Sequence, residues 1–129
     1  METRYVSIEA ALALHATVLQ LTSGKLGVRD MGALLGCLER PKTVLSGKEM
    51  FSTLYLKAAA VIESMARNHP FIDGNKRTSY LVGMELLAIN GYELAPPQGA
   101  IEKFMLWIVI EKPALAEIAA WLEKHSKKA

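Results

Sequence analysis

The chain has almost no sulfur chemistry and little excess charge. A lone cysteine, Cys37, excludes an internal disulfide and any metal site built from spaced thiolates. Fifteen Lys plus Arg against thirteen Asp plus Glu leave a formal charge of +2, far short of the basic excess that marks a nucleic-acid binder. No nucleic-acid partner is expected. Long hydrophobic runs are also missing: the longest, Phe104 to Ile110, is too short to span a bilayer. The opening METRYVSIE has an acid at its second residue and no basic-then-apolar leader. These absences predict a soluble, cytoplasmic protein with no membrane partner. No segment keeps the two-residue alternation of a half-buried strand, and no repeat or low-complexity tract appears.

What the chain does have is apolar residues at helical spacing. Its 129 residues are 51% apolar, enough for one core and too few for two comfortable domains, so residues 1–129 are expected to form a single all-α domain. Ser7 followed by Ile8, Leu12, His15 and Leu19 predicts a first helix ending at about Thr22. Asp30 is an N-cap candidate for a short helix carrying Leu34, Leu35 and Leu38 before Pro41. From Lys42 to Ser52 the pattern is irregular, with Ser46-Gly47 as a turn signal, which predicts a small hairpin or flap. Leu54, Ala58, Val61 and Met65 predict a third helix stopping near Asn68, because Pro70 follows His69. A fourth, apolar nearly all round, runs from after Gly74 to Asn90-Gly91. A fifth covers roughly Ala100 to Ile110, Pro113 opens a sixth, and the basic end KHSKK reads as a solvated tail.

One stretch breaks the apolar monotony. NHPFIDGNKRTSY, Asn68 to Tyr80, joins the end of the third helix to the start of the fourth. A glycine-containing loop that opens a helix presents backbone N–H groups and the positive end of a helix dipole, an arrangement that receives anions and above all phosphate. Gly74 permits close approach, and Lys76 and Arg77 add a point charge and a bidentate fork. Arg67 precedes the loop and is a further candidate cation. Asp73 is the carboxylate that a polyphosphate-bound Mg²⁺ would use, and Asn75 can tie the loop or touch phosphate. His69 is the nearby group that titrates close to neutrality, as a general base taking a proton from a hydroxyl must. Phe71 is expected to anchor the loop inward.

HPFIDGNKRTSY resembles the signature of the Fic/Doc family, H-P-F-x-[DE]-G-N-G-R-x-x-R, through His69, Pro70, Phe71, Asp73, Gly74, Asn75 and Arg77. Fainter likeness to the death-on-curing (Doc) branch runs through LHATVL, VRDMGALLGCLERP and NGYEL. Two positions depart from the family pattern: Lys76 stands for its second motif glycine and Tyr80 for its second arginine. The Doc branch is similar in carrying N-K-R. The resemblance implies a helical domain of about six helices with a flap over 42–52 that aligns a target strand. It also implies a toxin that moves a phosphoryl group from ATP, with Mg²⁺, to a Thr or Ser hydroxyl of a translation factor such as elongation factor Tu. Carried over by position, His69 is the base, Asp73 the Mg²⁺ ligand, Gly74, Asn75, Lys76 and Arg77 the phosphate cradle, and Arg67 a supporting cation. An antitoxin peptide in a hydrophobic groove is implied as well. Adenylyl transfer, and a silent peptide-binding module on the same scaffold, are the alternatives.

Plainer roles compete at several positions. Asp73-Gly74 is also ordinary turn chemistry. His15 falls on the apolar stripe of the first helix and reads as a satisfied core histidine, and His125 as inert. Glu85, on a helix apolar nearly all round, calls for an ion pair or a helix-end contact if buried. Phe104, Trp107 and Trp121 read as core, with a peptide groove among the last two helices as the functional alternative.

Overall fold

Three polar side chains start three helices. Ser7, Asp30 and Thr53 accept hydrogen bonds from the backbone N–H of Ala10, Ala33 and Leu56, opening α1 (Ile8–Thr22), α2 (Met31–Glu39) and α3 (Leu54–Asn68). These and the elements below come from a computed structural model that describes residues 2–129. After α2 a 3₁₀ turn, Arg40–Lys42, carries Pro41 into a hairpin of β1 (Val44–Leu45) and β2 (Lys48–Glu49). Ser46 and Gly47 both have positive φ, 50° and 77°, which matches the twist a two-residue hairpin turn requires. The flap expected over 42–52 is therefore a true hairpin. Lys57 roots it: this buried lysine donates to the Phe51 carbonyl at 2.6 Å and pairs with Glu49 at 3.3 Å.

The central helix is α3, whose Ala58, Ala59, Ala60, Ile62, Met65 and Ala66 are fully buried. Its small residues let α4 (Asn75–Ala88) approach closely, and Gly83 of α4 faces Ile62, where a Cβ would overlap the isoleucine side chain. The two helices flank the motif loop, so their packing fixes the distance across the site. Next come β3 (Tyr92–Leu94), α5 (Ala100–Glu111), α6 (Leu115–Lys124) and β4 (Ser126–Lys128). Phe104 stacks on Trp121 at 3.8 Å and meets Tyr80 edge-on at 6.4 Å, so the aromatic residues of the last two helices serve the core.

The all-α class and the six helices hold, with boundaries within two residues of those expected. The sixth begins at Leu115, after Pro113 and an Ala114 whose N–H donates to Glu117. The basic tail is corrected in part: Lys127 and Lys128 are exposed as expected, but Ser126–Lys128 pairs antiparallel with Tyr92–Leu94, setting Lys127 opposite Glu93. A three-residue pairing across so long a separation leaves no periodic trace in the sequence. Glu85 is the other correction. It is only half-buried, and its side chain makes no ion pair among the described residues. Among those residues no helix is long and apolar enough to cross a membrane.

Candidate active site

The loop between α3 and α4 is held in shape from several sides. α3 ends at Asn68, and His69 takes the left-handed conformation, φ 49°. Pro70 and Phe71 are buried, and the Phe71 ring lies flat against His15 with centroids 3.7 Å apart. His15 Nε2 donates to the Asp73 carbonyl at 2.8 Å; a carbonyl only accepts, so Nε2 carries the proton. His15 is thus a satisfied buried histidine, and what satisfies it is the motif loop. Asn75 closes the loop on itself, accepting from the Phe71 N–H and donating to the Phe71 carbonyl, both at 2.9 Å. Gly74, at φ 78°, makes the last turn with its α-carbon facing Val18, where a Cβ would come within 3.2 Å.

α4 then starts with no side-chain cap. Its first internal bond runs from the Thr78 N–H to the Gly74 carbonyl, which leaves the N–H groups of Asn75, Lys76 and Arg77 at the open, positive end of the helix. The side chains of Lys76 and Arg77 are exposed and make no ion pair among the described residues. His69, Ile72, Asp73, Gly74, Asn75, Lys76 and Arg77, together with Thr22 and Gly24, line one cavity of about 510 Å³. The chemistry available there is an anion cradle with an imidazole at its edge. Asp73 Oδ2 accepts the Lys25 N–H at 2.8 Å, which orients an exposed carboxylate at the rim. A single oriented carboxylate fits Mg²⁺ that arrives on a polyphosphate and keeps its other ligands as phosphate oxygens and water.

One sequence expectation changes here and one is narrowed. Arg67 does not face the cavity: its guanidinium pairs with Glu63 at 3.0 Å and donates to the Ile108 carbonyl at 3.2 Å. That carbonyl is among the last four of α5, which have no helical partner, and it draws the cation toward α5. Arg67 is a structural residue. Asn75 stays at the site with its amide committed to the Phe71 backbone, so what it offers an anion is its backbone N–H. Sequence reasoning missed Arg29, whose side chain donates to the Asn68 and His69 carbonyls from about forty residues away. Its only trace was the VRD whose aspartate, Asp30, caps α2.

Next to the cavity, and sharing Lys76 and Arg77 with it, runs an apolar groove of about 780 Å³. Val18 and Leu21 of α1, Tyr80, Leu81 and Met84 of α4, and Met105 and Leu106 of α5 form its walls. The groove was expected among the last two helices; it lies between α1, α4 and α5 instead, since Phe104 and Trp121 close the α5–α6 side by stacking. Tyr80, at the position of the departing signature residue, is buried, and its hydroxyl has no partner among the described protein atoms. Burial pushes its pKa up to about 12. His125 sits far off, donating through Nδ1 to the Trp121 carbonyl.

A profile described as the Fic/DOC family matches residues 5–87, which include the loop and nearly all of α4. The chain belongs to the Fic/DOC family. Within it the chain is 44% identical over 72 residues to "Toxin Doc" of Mycolicibacterium smegmatis, an alignment that covers 56% of this chain and 55% of that protein. The chain thus spans about half the length of the relative it matches. In this member of the Fic/DOC family the signature residues His69, Asp73, Gly74, Asn75 and Arg77 line the cavity at the start of α4, and Asn75 closes its loop.

Proposed function

We propose that this Fic/DOC chain is a Doc-type toxin that transfers a phosphoryl group from Mg·ATP to a Thr or Ser hydroxyl of a cytoplasmic translation factor of the elongation factor Tu kind. The observation that carries this reading is the uncapped start of α4 with unpaired Lys76 and Arg77, opening into a cavity that His69 lines. The N–H groups of Asn75, Lys76 and Arg77 hold phosphate oxygens together with the two side-chain cations. Asp73 supplies a carboxylate oxygen for Mg²⁺, which neutralises phosphate charge when bound. His69 takes the proton of the acceptor hydroxyl as its oxygen bonds to the γ-phosphorus. The bond from that phosphorus to the bridging oxygen breaks, and ADP leaves. Catalysis of this kind is mostly positioning and charge neutralisation, which suits a rigid loop between two packed helices.

The γ rather than the α position is supported by the two departures from the signature. Lys76 puts bulk and charge where a glycine would leave room, and Tyr80, buried and uncharged, offers no fork for a terminal phosphate. The hairpin at 44–49, with Val44 and Leu45 exposed, is the surface against which a target segment would align. An antitoxin peptide would cover the apolar groove and reach Lys76 and Arg77 at its end. The test is His69→Ala. Transfer should fall about 10²- to 10⁴-fold while affinity for Mg·ATP stays the same, because a general base acts on the transition state. Equal losses of nucleotide binding and stability would make His69 a loop residue and end this mechanism.

A further inference from the structure

The motif loop sits between helix ends of opposite sign. α4 offers its N–H end, while α3 stops with carbonyls pointing out of its last turn, and a phosphate drawn to the first is repelled by the second. The last of those carbonyls, Asn68, and the next two along the chain, His69 and Pro70, are met from one place. Arg29, in the segment between α1 and α2, donates from Nε to the His69 carbonyl at 2.6 Å and from Nη2 to the Asn68 carbonyl at 2.7 Å. The backbone N–H groups of Arg29 and Asp30 both donate to the Pro70 carbonyl, at 2.8 and 3.1 Å. Three successive carbonyls, 68 to 70, are therefore occupied by residues 29 and 30. The middle one belongs to His69, a non-glycine residue in the left-handed region, where an L side chain crowds its own backbone. A planar fork that grips the peptide groups on both sides of its α-carbon holds it there.

We infer that Arg29 is a positioning residue of the transfer site, fixing the His69 backbone and offsetting the carbonyl end of α3, an inference that rests on His69 being the base proposed above. Arg29 lines neither cavity, so it touches no phosphate directly. It is also exposed, so its side chain can be removed without opening the core. A lysine there keeps the charge but replaces the rigid planar fork with a point charge on a flexible stem.

The chain holds three histidines, His15, His69 and His125, so the Cε1–Hε1 region of the imidazole carbon–proton spectrum contains three signals and His69→Ala assigns the relevant one. In Arg29→Ala the His69 signal should shift or broaden while His125, remote from the loop, stays in place. Transfer should fall about 10²-fold, the scale of a misplaced reacting group, with Mg·ATP affinity reduced far less. Arg29→Lys should recover affinity but leave the His69 signal displaced. An unmoved His69 signal in Arg29→Ala would overturn the inference, as would a displacement of all three signals together with a lower melting temperature, which would make Arg29 a general structural brace. The spectra do not depend on turnover. If the wild-type protein transfers nothing, the proposed function falls while the His69 signal still decides whether Arg29 positions it.

Discussion

Asn75→Ala separates a loop clamp from a phosphate ligand. The wild-type amide makes two hydrogen bonds to the Phe71 backbone, both 2.9 Å and partly buried. Each contributes about 0.5–1 kcal/mol net, and the Phe71 N–H, left without a partner beside a fully buried ring, adds a desolvation cost of about 1 kcal/mol. The loss should total about 2–3 kcal/mol. For a domain of this size that is roughly 6–12 °C in melting temperature, by interpolation between small and larger domains. Calorimetric melting of the nucleotide-free protein gives the number directly. Nucleotide affinity should fall as well, but only as far as the loop has lost its shape, so saturating Mg·ATP should restore part of the melting temperature. An unchanged melting temperature with a large loss of affinity would refute the reasoning and make the Asn75 amide a phosphate ligand after all.

Lys76→Ala and Arg77→Ala should each weaken Mg·ATP binding by about 1.5–3 kcal/mol, read by titration calorimetry, since each removes charge-assisted hydrogen bonds. Asp73→Asn is the cleaner metal test: it keeps an acceptor for the Lys25 N–H and removes the charge, so it should abolish the Mg²⁺ dependence of binding without lowering the melting temperature. Gly83→Ala should destabilise by about 1–3 kcal/mol despite the better helix propensity of alanine, and combining it with Ile62→Ala should cost less than the sum of the two changes, as melting would show. Tyr80 reports on pH. Burial raises its phenol from 10.0 to about 12, so the folded state keeps a proton that the unfolded chain releases, and stability that is whole below pH 10 drains away as pH rises toward 12. Tyr80→Phe should flatten that slope in denaturation midpoints measured across this range.

Much of the fold was legible because helices announce themselves twice, by apolar spacing and by their ends. Ser7 and Asp30 were readable as caps, Pro70 fixed the end of α3, and Gly74 the opening of α4. The hairpin showed through its Ser46-Gly47 turn. The pairing of β3 with β4 was not legible, because it depends on where α6 delivers the chain end. At the site, the residues of the cradle were local in sequence and could be read together. Arg67 and Arg29 could not. Each is an arginine close to a helix boundary, and only tertiary packing decides that Arg67 turns to Glu63 and α5 while Arg29 reaches back to the end of α3.

The loop at 69–77 as an ATP-dependent phosphoryl-transfer site is tested most directly by the mass of its acceptor. Elongation factor Tu, and then fractions of a cell extract, would be incubated with the wild-type chain and Mg·ATP, with His69→Ala in parallel, and weighed intact. The account predicts one phosphoryl increment on a Thr or Ser of the acceptor, ADP in solution, and no increment with His69→Ala. An adenylyl increment with pyrophosphate release would contradict the assignment of the transferred group, and no increment on any protein would contradict the site itself.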